Sequence, residues 1–375
     1  MFFRGPNRPL LCALGLLFFV GTAIAQPPAW LKQEWQKPFS DRVNGITNVN
    51  ARLDALEKAL DEAKDKTSLS VTTARYTLEL FKDARANPSA YGPPEMPKPG
   101  ALGLARKPAP TSPPKVLSEM ISVHTPMPLD LEQELRRAEE IAVAIKSAKD
   151  PMAGIGGDVH LAYRSPLDGS LMPFRVYVPK EYDGSRPWPL VVFLHGAFCD
   201  ENTYMAQDVL QPAADRYGYL IVSINGRGPF SSYLKENGAQ QDVMDVIALM
   251  QKYYKVNDSR IYLTGHSMGG GGTWTIGTLF RDKFAAIASM SGVNSQNVNE
   301  LDAKLAVGGD KKIPILVTAG GKDTASPPEA NITAYEKVKA LGYPTKIVVY
   351  TDSPHNPVFQ NSYPEIFAWF DRYTK

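Results

Sequence analysis

The sequence has little cysteine, no apolar run long enough to cross a membrane, and no excess of charge of either sign. Its 375 residues include two cysteines, too few for a framework of disulfides. The apolar run Leu10–Val20 falls short of the roughly 18–20 residues that a membrane-spanning helix needs. The net charge is only +2, so the chain lacks the excess of positive charge that binding to nucleic acid or anionic lipid requires. Both are excluded as partners.

The first 25 residues have the pattern of a secretory signal peptide. Arg4 and Arg8 make the start positive, the apolar run follows, and Ala23-Ile24-Ala25 forms a small-x-small cleavage site before Gln26. Cleavage would reduce the net charge to zero and leave Cys199 as the only thiol, so that packing of the core must supply the stability. The sequence therefore predicts a secreted or periplasmic protein without membrane attachment after cleavage.

Residues 26–150 are predicted to form a helical and proline-rich extension. Val49–Lys66 places apolar residues at spacings of four, three and four, and Thr72–Ala86 and Leu129–Ala148 follow the same helical pattern. Nine prolines between Asn87 and Pro114 predict an extended strap. Because no catalytic or ligand-binding motif occurs here, an extension that packs on the main domain is favoured over a lid or a binding module.

Residues 151–375 alternate short β-rich runs with amphipathic stretches. A hairpin is predicted from Asp158–Arg164 and Leu171–Val178 around the turn pair Asp168-Gly169. Six further strands are predicted at Leu190–Leu194, Tyr219–Ile224, Arg260–Thr264, Ala285–Met290, Ile313–Thr318 and Lys346–Tyr350. Helices are predicted near Thr203–Tyr217, Gln240–Tyr254, Met268–Phe280, Glu329–Leu341 and Tyr363–Tyr373. This alternation predicts an α/β catalytic domain with a mostly parallel, doubly wound sheet.

A candidate nucleophile lies in the motif Gly265-His266-Ser267-Met268-Gly269, between a predicted strand and a predicted helix. In that context a G-x-S-x-G sequence forms a sharp turn that exposes the serine hydroxyl at the end of the strand, because glycines let the strand and helix approach closely. The flanking strand and helix distinguish the motif from a glycine-rich turn with an incidental serine. Ser267 is therefore the predicted nucleophile.

A serine hydroxyl needs a base, and in this arrangement the base follows the serine in the chain with an acid between them. Of the five histidines only His355 comes after Ser267, and it follows the last predicted strand. Asp323 comes after the strand predicted at Ile313–Thr318 and is the predicted acid that orients His355. Asp352 is the rival carboxylate, but three residues from His355 it is poorly placed to reach the ring.

Two backbone N–H groups are predicted to donate hydrogen bonds to the substrate oxygen on which negative charge develops. One is that of Met268, directly after the nucleophile, and the other is that of Ala197, after the predicted strand Leu190–Leu194. Phe198 is the near alternative to Ala197 and a candidate substrate-binding residue, with Phe230 and Tyr233 in neighbouring loops. Arg227 could bind a substrate carboxylate, although a structural salt bridge is favoured.

These motifs resemble those of the α/β-hydrolase superfamily, in particular secreted carboxylesterases and predicted peptidases related to feruloyl esterases, polyhydroxybutyrate depolymerases and prolyl oligopeptidases. The resemblance spans about residues 158–375. It is carried by Ser165–Gly169, Phe174–Pro179, Leu194–Ala197, Asp258–Gly270, Gly272–Trp274, Asp323 and His355. It implies a sheet of the α/β-hydrolase type and a serine nucleophile with an aspartate–histidine pair. It also implies no metal or other cofactor, and it leaves residues 26–150 unexplained.

The function expected from these residues is hydrolysis of carboxylic esters through an acyl-enzyme, on small-molecule or polysaccharide-linked substrates. A serine peptidase of the prolyl-oligopeptidase kind is the first alternative. Such enzymes usually carry a propeller with repeats of roughly 40–50 residues, and the region before Asp150 contains no such repeat. A non-catalytic binding protein on a hydrolase fold is the second alternative. The acyl group, the alcohol group and the oligomeric state are left open.

Overall fold

The computed structural model describes residues 33–91, 129–145, 151–152, 155–207, 209–233, 235–236, 238–293, 295–307 and 310–375. The predicted signal peptide and most of the predicted proline strap lie outside these residues. The predicted domain boundary at residue 150 falls beside a gap in the described ranges, so it stays a prediction.

The strands of the described residues form one eight-stranded sheet. They are β1 (Gly157–Arg164), β2 (Leu171–Val178), β3 (Trp188–Leu194), β4 (Leu220–Ile224), β5 (Val256–His266), β6 (Ala286–Met290), β7 (Ile315–Gly320) and β8 (Thr345–Tyr350). Their order across the sheet is β1-β2-β4-β3-β5-β6-β7-β8. β2 pairs antiparallel with β1 and with β4, and every other neighbouring pair is parallel. The predicted hairpin and the mostly parallel sheet are confirmed.

Helices cover both faces of this sheet. Within the described residues they are α1 (Phe39–Asn44), α2 (Val49–Asp61), α3 (Leu69–Ala86), α4 (Leu131–Ala144), α5 (Leu210–Tyr217), α6 (Ala239–Tyr253), α7 (Met268–Leu279), α8 (Ser295–Val307), α9 (Pro328–Ala340) and α10 (Pro357–Phe370). Helices α6–α9 contribute to one apolar cluster, while α5 and α10 contribute to the other. In the described ranges no helix combines the length and apolarity that a membrane span requires.

The central strands are apolar on both faces, and for this reason they are continuous runs of hydrophobic residues in the sequence. In β3, Leu190, Val192 and Leu194 belong to the cluster that includes α6–α9. Val191 and Phe193 alternate with them and belong to the cluster with α5 and α10. Strands that are buried on both faces are typical of parallel sheets whose crossover helices lie on either side.

Helix α3 covers the edge of the sheet at β1. The Thr72 hydroxyl donates to the carbonyl oxygen of Ala162 in β1 over 2.7 Å, and the Ala162 N–H donates to the Thr73 Oγ1 over 3.0 Å. These backbone groups of an edge strand would otherwise be free to pair with another strand. The N-terminal helices therefore close this edge with specific hydrogen bonds.

Helices α1–α4 also share an apolar core with the sheet. Helix α2 buries Leu53, Leu56 and Leu60 in the same cluster as the strands, at the spacings the sequence predicted. Arg52 of α2 reaches α4, where its guanidinium lies 2.8 Å from Glu132 and 2.7 Å from Glu139. The helices from 39 to 144 thus pack against one another and against the sheet.

The helix bounds differ from the predicted ones where tertiary contacts or prolines intervene. Helix α5 begins at Leu210 rather than at residue 203, because the Thr203 N–H and hydroxyl both donate to Asp200 and hold a turn there. Helix α10 begins at Pro357, where a proline needs no N–H partner, and it continues through Pro364. Helix α8 is absent from the predicted elements, although Val298, Leu301 and Leu305 follow a helical spacing.

Candidate active site

Ser267 occupies a strained turn between β5 and α7. Its backbone has φ 56° and ψ −117°, an uncommon conformation for a residue other than glycine. Its N–H donates to the carbonyl oxygen of Met290 in β6 over 2.9 Å. A Cβ at Gly269 would lie 2.0 Å from the carbonyl oxygen of Leu194, and one at Gly265 would lie 2.5 Å from the backbone of Gly269. The two glycines are therefore required for the turn that presents Ser267.

His355 lies between Ser267 and Asp323. It belongs to the loop that joins β8 to α10, and the residue is 8% exposed. Its Nε2 lies 2.8 Å from the Ser267 Oγ, and its Nδ1 lies 2.7 Å from an Asp323 oxygen. Since a carboxylate only accepts, Nδ1 carries the proton and Nε2 is left to accept the hydroxyl proton. The structure thus brings the predicted nucleophile, base and acid into one hydrogen-bonded chain.

Asp323 is held by backbone donors in the loop after β7. Its Oδ1 accepts the N–H groups of Ala325 over 2.9 Å and Ser326 over 2.8 Å, which leaves Oδ2 for His355. Burial raises the pKa of Asp323, but the hydrogen bond and charge of His355, together with the backbone donors, leave it below its ordinary value. The rival Asp352 is exposed and pairs with Lys322 at 2.8 Å. Asp323 is therefore the carboxylate that His355 contacts.

The loop after β3 passes beside the nucleophile. A Cβ at Gly196 would lie 3.5 Å from the Ser267 Cβ, which places the next residue, Ala197, at the same site. Among the described residues no acceptor takes the Ala197 N–H, whereas the Phe198 N–H donates to the carbonyl oxygen of Pro229 over 3.1 Å. Phe198 is therefore not available as the alternative donor.

The other predicted donor begins a helix. Met268 is the first residue of α7, so its N–H has no acceptor within the helix, and it sits at the positive end of the helix dipole. Its side chain is partly exposed, and its sulfur accepts the N–H of Ser232 over 3.4 Å. The N–H groups predicted at Ala197 and Met268 are thus available on two sides of Ser267.

His266, the residue before the nucleophile, connects two loops of the site. Its Nε2 lies 3.0 Å from the carbonyl oxygen of His355, and its Nδ1 lies 2.9 Å from the Tyr204 hydroxyl. Because a carbonyl only accepts, Nε2 donates to it and Nδ1 accepts from the tyrosine. Burial, with repulsion from His355, lowers the pKa of His266 to about 3, so its ring is neutral. This contact was not predicted, since the sequence shows only that His266 lies within the motif.

An aromatic pair borders the same site. The rings of Phe198 and Phe230 meet edge to face with centroids 4.7 Å apart, and Phe230 is 53% exposed. Arg227, on the loop that carries Phe230, pairs with Asp168 and with Asp242, so it is a structural salt bridge as the sequence favoured. Tyr233 is fully buried and donates to the carbonyl oxygen of His195 over 3.2 Å. Phe198 and Phe230 are therefore the aromatic residues that a substrate could contact.

A metal site and a reactive thiol would be two further kinds of reactive group in the described ranges. No group of three or more His, Cys, Asp or Glu side chains in those ranges is placed to hold a metal ion. Cys199 is a free cysteine, and burial raises the pKa of its thiol to about 12. It stays protonated at neutral pH and is a poor nucleophile.

The strand order, the helices on both faces and the serine turn between β5 and α7 define an α/β-hydrolase fold. Residues 230–373 match the dienelactone hydrolase family. A fluorophosphonate-binding serine hydrolase of Staphylococcus aureus has the same fold, with a TM-score of 0.51 and 20% identity over 58% of this chain and 99% of that one.

Two relatives are similar in sequence over part of the chain. A bifunctional acetylxylan esterase/xylanase of Neocallimastix patriciarum is 31% identical over 127 residues, which are 34% of this chain and 19% of that protein. An uncharacterized peptidase of Bacillus subtilis is 23% identical over 251 residues, or 55% of this chain and 38% of that protein. The chain therefore spans well under half the length of each.

Proposed function

We propose that this protein is a serine hydrolase that cleaves carboxylic esters through an acyl-enzyme. The observation that carries the proposal is the chain of short contacts from the Ser267 Oγ through His355 to Asp323, at 2.8 and 2.7 Å. This arrangement lets a neutral imidazole remove the hydroxyl proton as the serine attacks a carbonyl carbon. The available N–H groups of Ala197 and Met268 supply the second requirement, a site for the developing oxyanion.

In the first half of the reaction the Ser267 Oγ forms a bond to the ester carbonyl carbon while Nε2 of His355 takes its proton. The carbonyl oxygen becomes an oxyanion and accepts the N–H groups of Ala197 and Met268. Asp323 keeps the ring oriented and stabilises its positive charge without taking the proton itself. The imidazolium then gives its proton to the leaving alcohol, the bond between the carbonyl carbon and the alcohol oxygen breaks, and the acyl group stays on the serine.

In the second half water replaces the alcohol. His355 takes a proton from the attacking water, whose oxygen bonds to the acyl carbon, and the same two N–H groups donate to the second oxyanion. Collapse of that intermediate breaks the bond to Ser267 and returns the proton from His355 to the serine. The carboxylic acid leaves, and the enzyme regains its starting state. The cycle consumes only the ester and water.

Esters are the proposed substrates rather than peptides. Amide hydrolysis needs efficient protonation of a poor leaving group and extended contacts that hold a chain in register. A small-molecule or polysaccharide-linked ester fits the partly exposed Ser267 and agrees with the acetylxylan esterase among the relatives. The peptidase among the relatives keeps amide hydrolysis as the alternative that substrate comparison must test.

Phe198 and Phe230 are proposed to form the wall against which the organic group of the ester packs. Phe198 follows Ala197 in the chain, and the exposed half of Phe230 is an apolar surface on the loop whose Ser232 N–H donates to the Met268 sulfur. Aromatic rings favour edge-to-face or offset contact with another ring. We therefore expect this wall to favour esters with an aromatic or extended apolar group.

Export is part of the proposal and rests on the first 25 residues alone. The positive start, the apolar run and the Ala23-Ile24-Ala25 site are those of a cleavable signal. Expression of the full chain should yield a protein in the secreted or periplasmic fraction whose first residue, by mass spectrometry of the intact chain, is Gln26. A full-length chain that stays inside the cell would contradict export without affecting the proposed chemistry.

The chemistry is tested by labelling and by a substrate panel. A fluorophosphonate should modify Ser267, and Ser267→Ala should remove both the label and ester hydrolysis, with kcat lower by on the order of 10⁴ or more. Ser232→Ala changes an exposed serine on the neighbouring loop and should be labelled like the wild type. Acetyl, butyryl, long-chain and feruloyl esters are compared with a dipeptidyl amide. A kcat/KM on the amide equal to that on a short ester would favour the peptidase, and no labelling would favour a non-catalytic protein.

A further inference from the structure

A buried histidine joins the N-terminal helices to the catalytic part of the chain. His160 in β1 is 4% exposed and lies between two carboxylates. Its Nδ1 is 3.6 Å from an oxygen of Glu134 in α4, and its Nε2 is 3.0 Å from an oxygen of Glu201 in the loop after β3. The side chains of Glu201 and His160 are 2% and 3% exposed, so their contact is closed off from water.

The histidine of this group is positively charged at neutral pH. Burial alone would lower the pKa of His160, but the negative charges of Glu134 and Glu201, with the hydrogen bond to Glu201, raise it to about 9. Tyr76 of α3 packs edge-on against the same ring, with centroids 5.4 Å apart. The group is therefore an ion pair with carboxylates on both sides, held between α3, α4, β1 and the loop after β3.

From Glu201 the contacts continue to the loop of the oxyanion donor. The second Glu201 oxygen accepts the side-chain amide of Asn225 over 2.7 Å. The carbonyl oxygen of Asn225 lies 2.7 Å from Nε2 of His195, and the carbonyl oxygen of Gly196 lies 2.8 Å from Nδ1. Burial lowers the pKa of His195, so its neutral ring donates to one of these two oxygens and only packs against the other. The next N–H along the chain is that of Ala197. Every step of this path is buried, and none of its side chains touches the reacting atoms.

The same asparagine supports the aromatic wall. The side-chain oxygen of Asn225 accepts the Gly228 N–H over 3.0 Å, and the following residue, Pro229, accepts the N–H of Phe198 over 3.1 Å. Displacement of Asn225 would therefore move the loop after β3 at two points, Gly196 and Phe198.

We propose that the N-terminal helices take part in the esterase site, with Glu134, His160 and Glu201 acting as positioning residues for the loop that carries the Ala197 N–H. The inference rests on the proposed function, because it concerns the oxyanion donor of that reaction. It gives the N-terminal helices a role beyond covering the sheet. Removing the charge of Glu134 leaves Glu201 as the one carboxylate that holds His160, so the ring can shift and disturb the hydrogen bonds of the neighbours of Glu201. Here those neighbours are Asn225 and the Ala197 loop.

The test compares two identical substitutions on the same helix. Glu134→Gln removes the charge that faces His160, whereas Glu139→Gln removes a charge on α4 that pairs with Arg52 and does not reach His160. We expect Glu134→Gln to lower kcat for a short nitrophenyl ester about 2- to 30-fold, the range that such coupled positions show. Its KM should change little, because ground-state binding does not depend on the oxyanion. Glu139→Gln should leave kcat unchanged.

The proposal is wrong if Glu134→Gln keeps the wild-type kcat. It is also wrong if the two variants lose kcat equally, because the cause would then be a general destabilisation of α4. Should Glu134→Gln not fold, His160→Gln removes the positive charge from the same group, and an unchanged kcat in that variant has the same meaning. In a double-mutant cycle with Glu201→Gln, the losses should be less than additive, since both changes break one path. Additive losses would count against a shared path.

This experiment distinguishes a failure of the proposed esterase function from a failure of the positioning role. If the wild-type protein neither hydrolyses an ester nor reacts with a fluorophosphonate, the proposed function fails. If the wild type reacts and Glu134→Gln reacts at the same rate, only the positioning role fails. The rate of labelling is a suitable second measure, because attack on phosphorus also places negative charge on an oxygen at the donor site.

Discussion

The Nε2–H of His266 donates to the backbone carbonyl oxygen of His355 over 3.0 Å, so the residue before the nucleophile holds the loop of the base. The rings of the two histidines also lie 4.7 Å apart. Since His266 is neutral and its other nitrogen accepts from Tyr204, its orientation is determined on both sides. The distance between Ser267 and His355 thus depends on a residue that touches no reacting atom.

Replacing His266 should therefore impair catalysis through geometry. His266→Ala removes the donor to His355, and a displacement of the base by about 1 Å can reduce the rate on the order of 100-fold. His266→Gln keeps an N–H donor at similar reach and should recover part of the loss. The measurement is kcat on a nitrophenyl acetate, normalised to the fraction of protein that a fluorophosphonate titrates. Equal kcat for the alanine and glutamine variants would show that the donor is not what matters.

Two aspartates close to His355 in sequence or in space should differ sharply in effect. Asp323→Asn should fold but lose about 10⁴-fold in kcat, because the amide would hold the ring of His355 in the wrong tautomer. Asp352→Asn removes only the exposed pair with Lys322 and should keep the wild-type kcat. Both variants are compared by steady-state kinetics and by circular dichroism. A greater loss in Asp352→Asn would reassign the acid.

Substrate preference should depend on the aromatic wall. Phe230→Ala removes one ring of the pair with Phe198 and should lower kcat/KM for a feruloyl or benzoyl ester about 2- to 10-fold more than for an acetyl ester. Leu341→Ala is the matched control, since Leu341 is an exposed apolar residue between α9 and β8, at the opposite edge of the sheet. Equal losses on all esters in Phe230→Ala would argue that the wall has no part in selectivity.

Stability should fall as the pH rises past the titration of His160. The folded pKa of about 9 is above the unfolded value of about 6.5, so this stabilisation is complete below pH 6.5 and is lost as the pH rises through 9. The shift corresponds to on the order of 3 kcal/mol. Burial raises the pKa of Asp200 to about 7, which adds a loss in the same direction, mainly at lower pH.

Urea unfolding at pH 6.5 and pH 9.5 measures this effect. The wild-type free energy of unfolding should drop between the two values, and His160→Gln, which has no proton to lose, should show a smaller drop. Parallel pH dependence in the two proteins would mean that the folded His160 does not titrate above its ordinary pKa.

Much of the catalytic half of the fold could be predicted because its signals are local. The strands of the sheet are short runs of apolar residues, as in Val191–Leu194, and burial on both faces requires that pattern in any parallel sheet. The turn at Ser267 needs Gly265 and Gly269 within four residues of each other, so its motif is readable in the chain. His355 followed from chain order, since no other histidine comes after the serine.

What the sequence determined alone is therefore the set of strands, the serine turn, and the order of the candidate nucleophile, acid and base. Only the tertiary structure decided which carboxylate His355 contacts, because Asp352 is closer along the chain while Asp323 is closer in space. It also decided that His160 meets Glu134 and Glu201, although 41 residues separate the histidine from Glu201. Hydrophobic periodicity depends on neighbours along the chain, whereas such polar contacts depend on how the sheet and helices bring distant loops together.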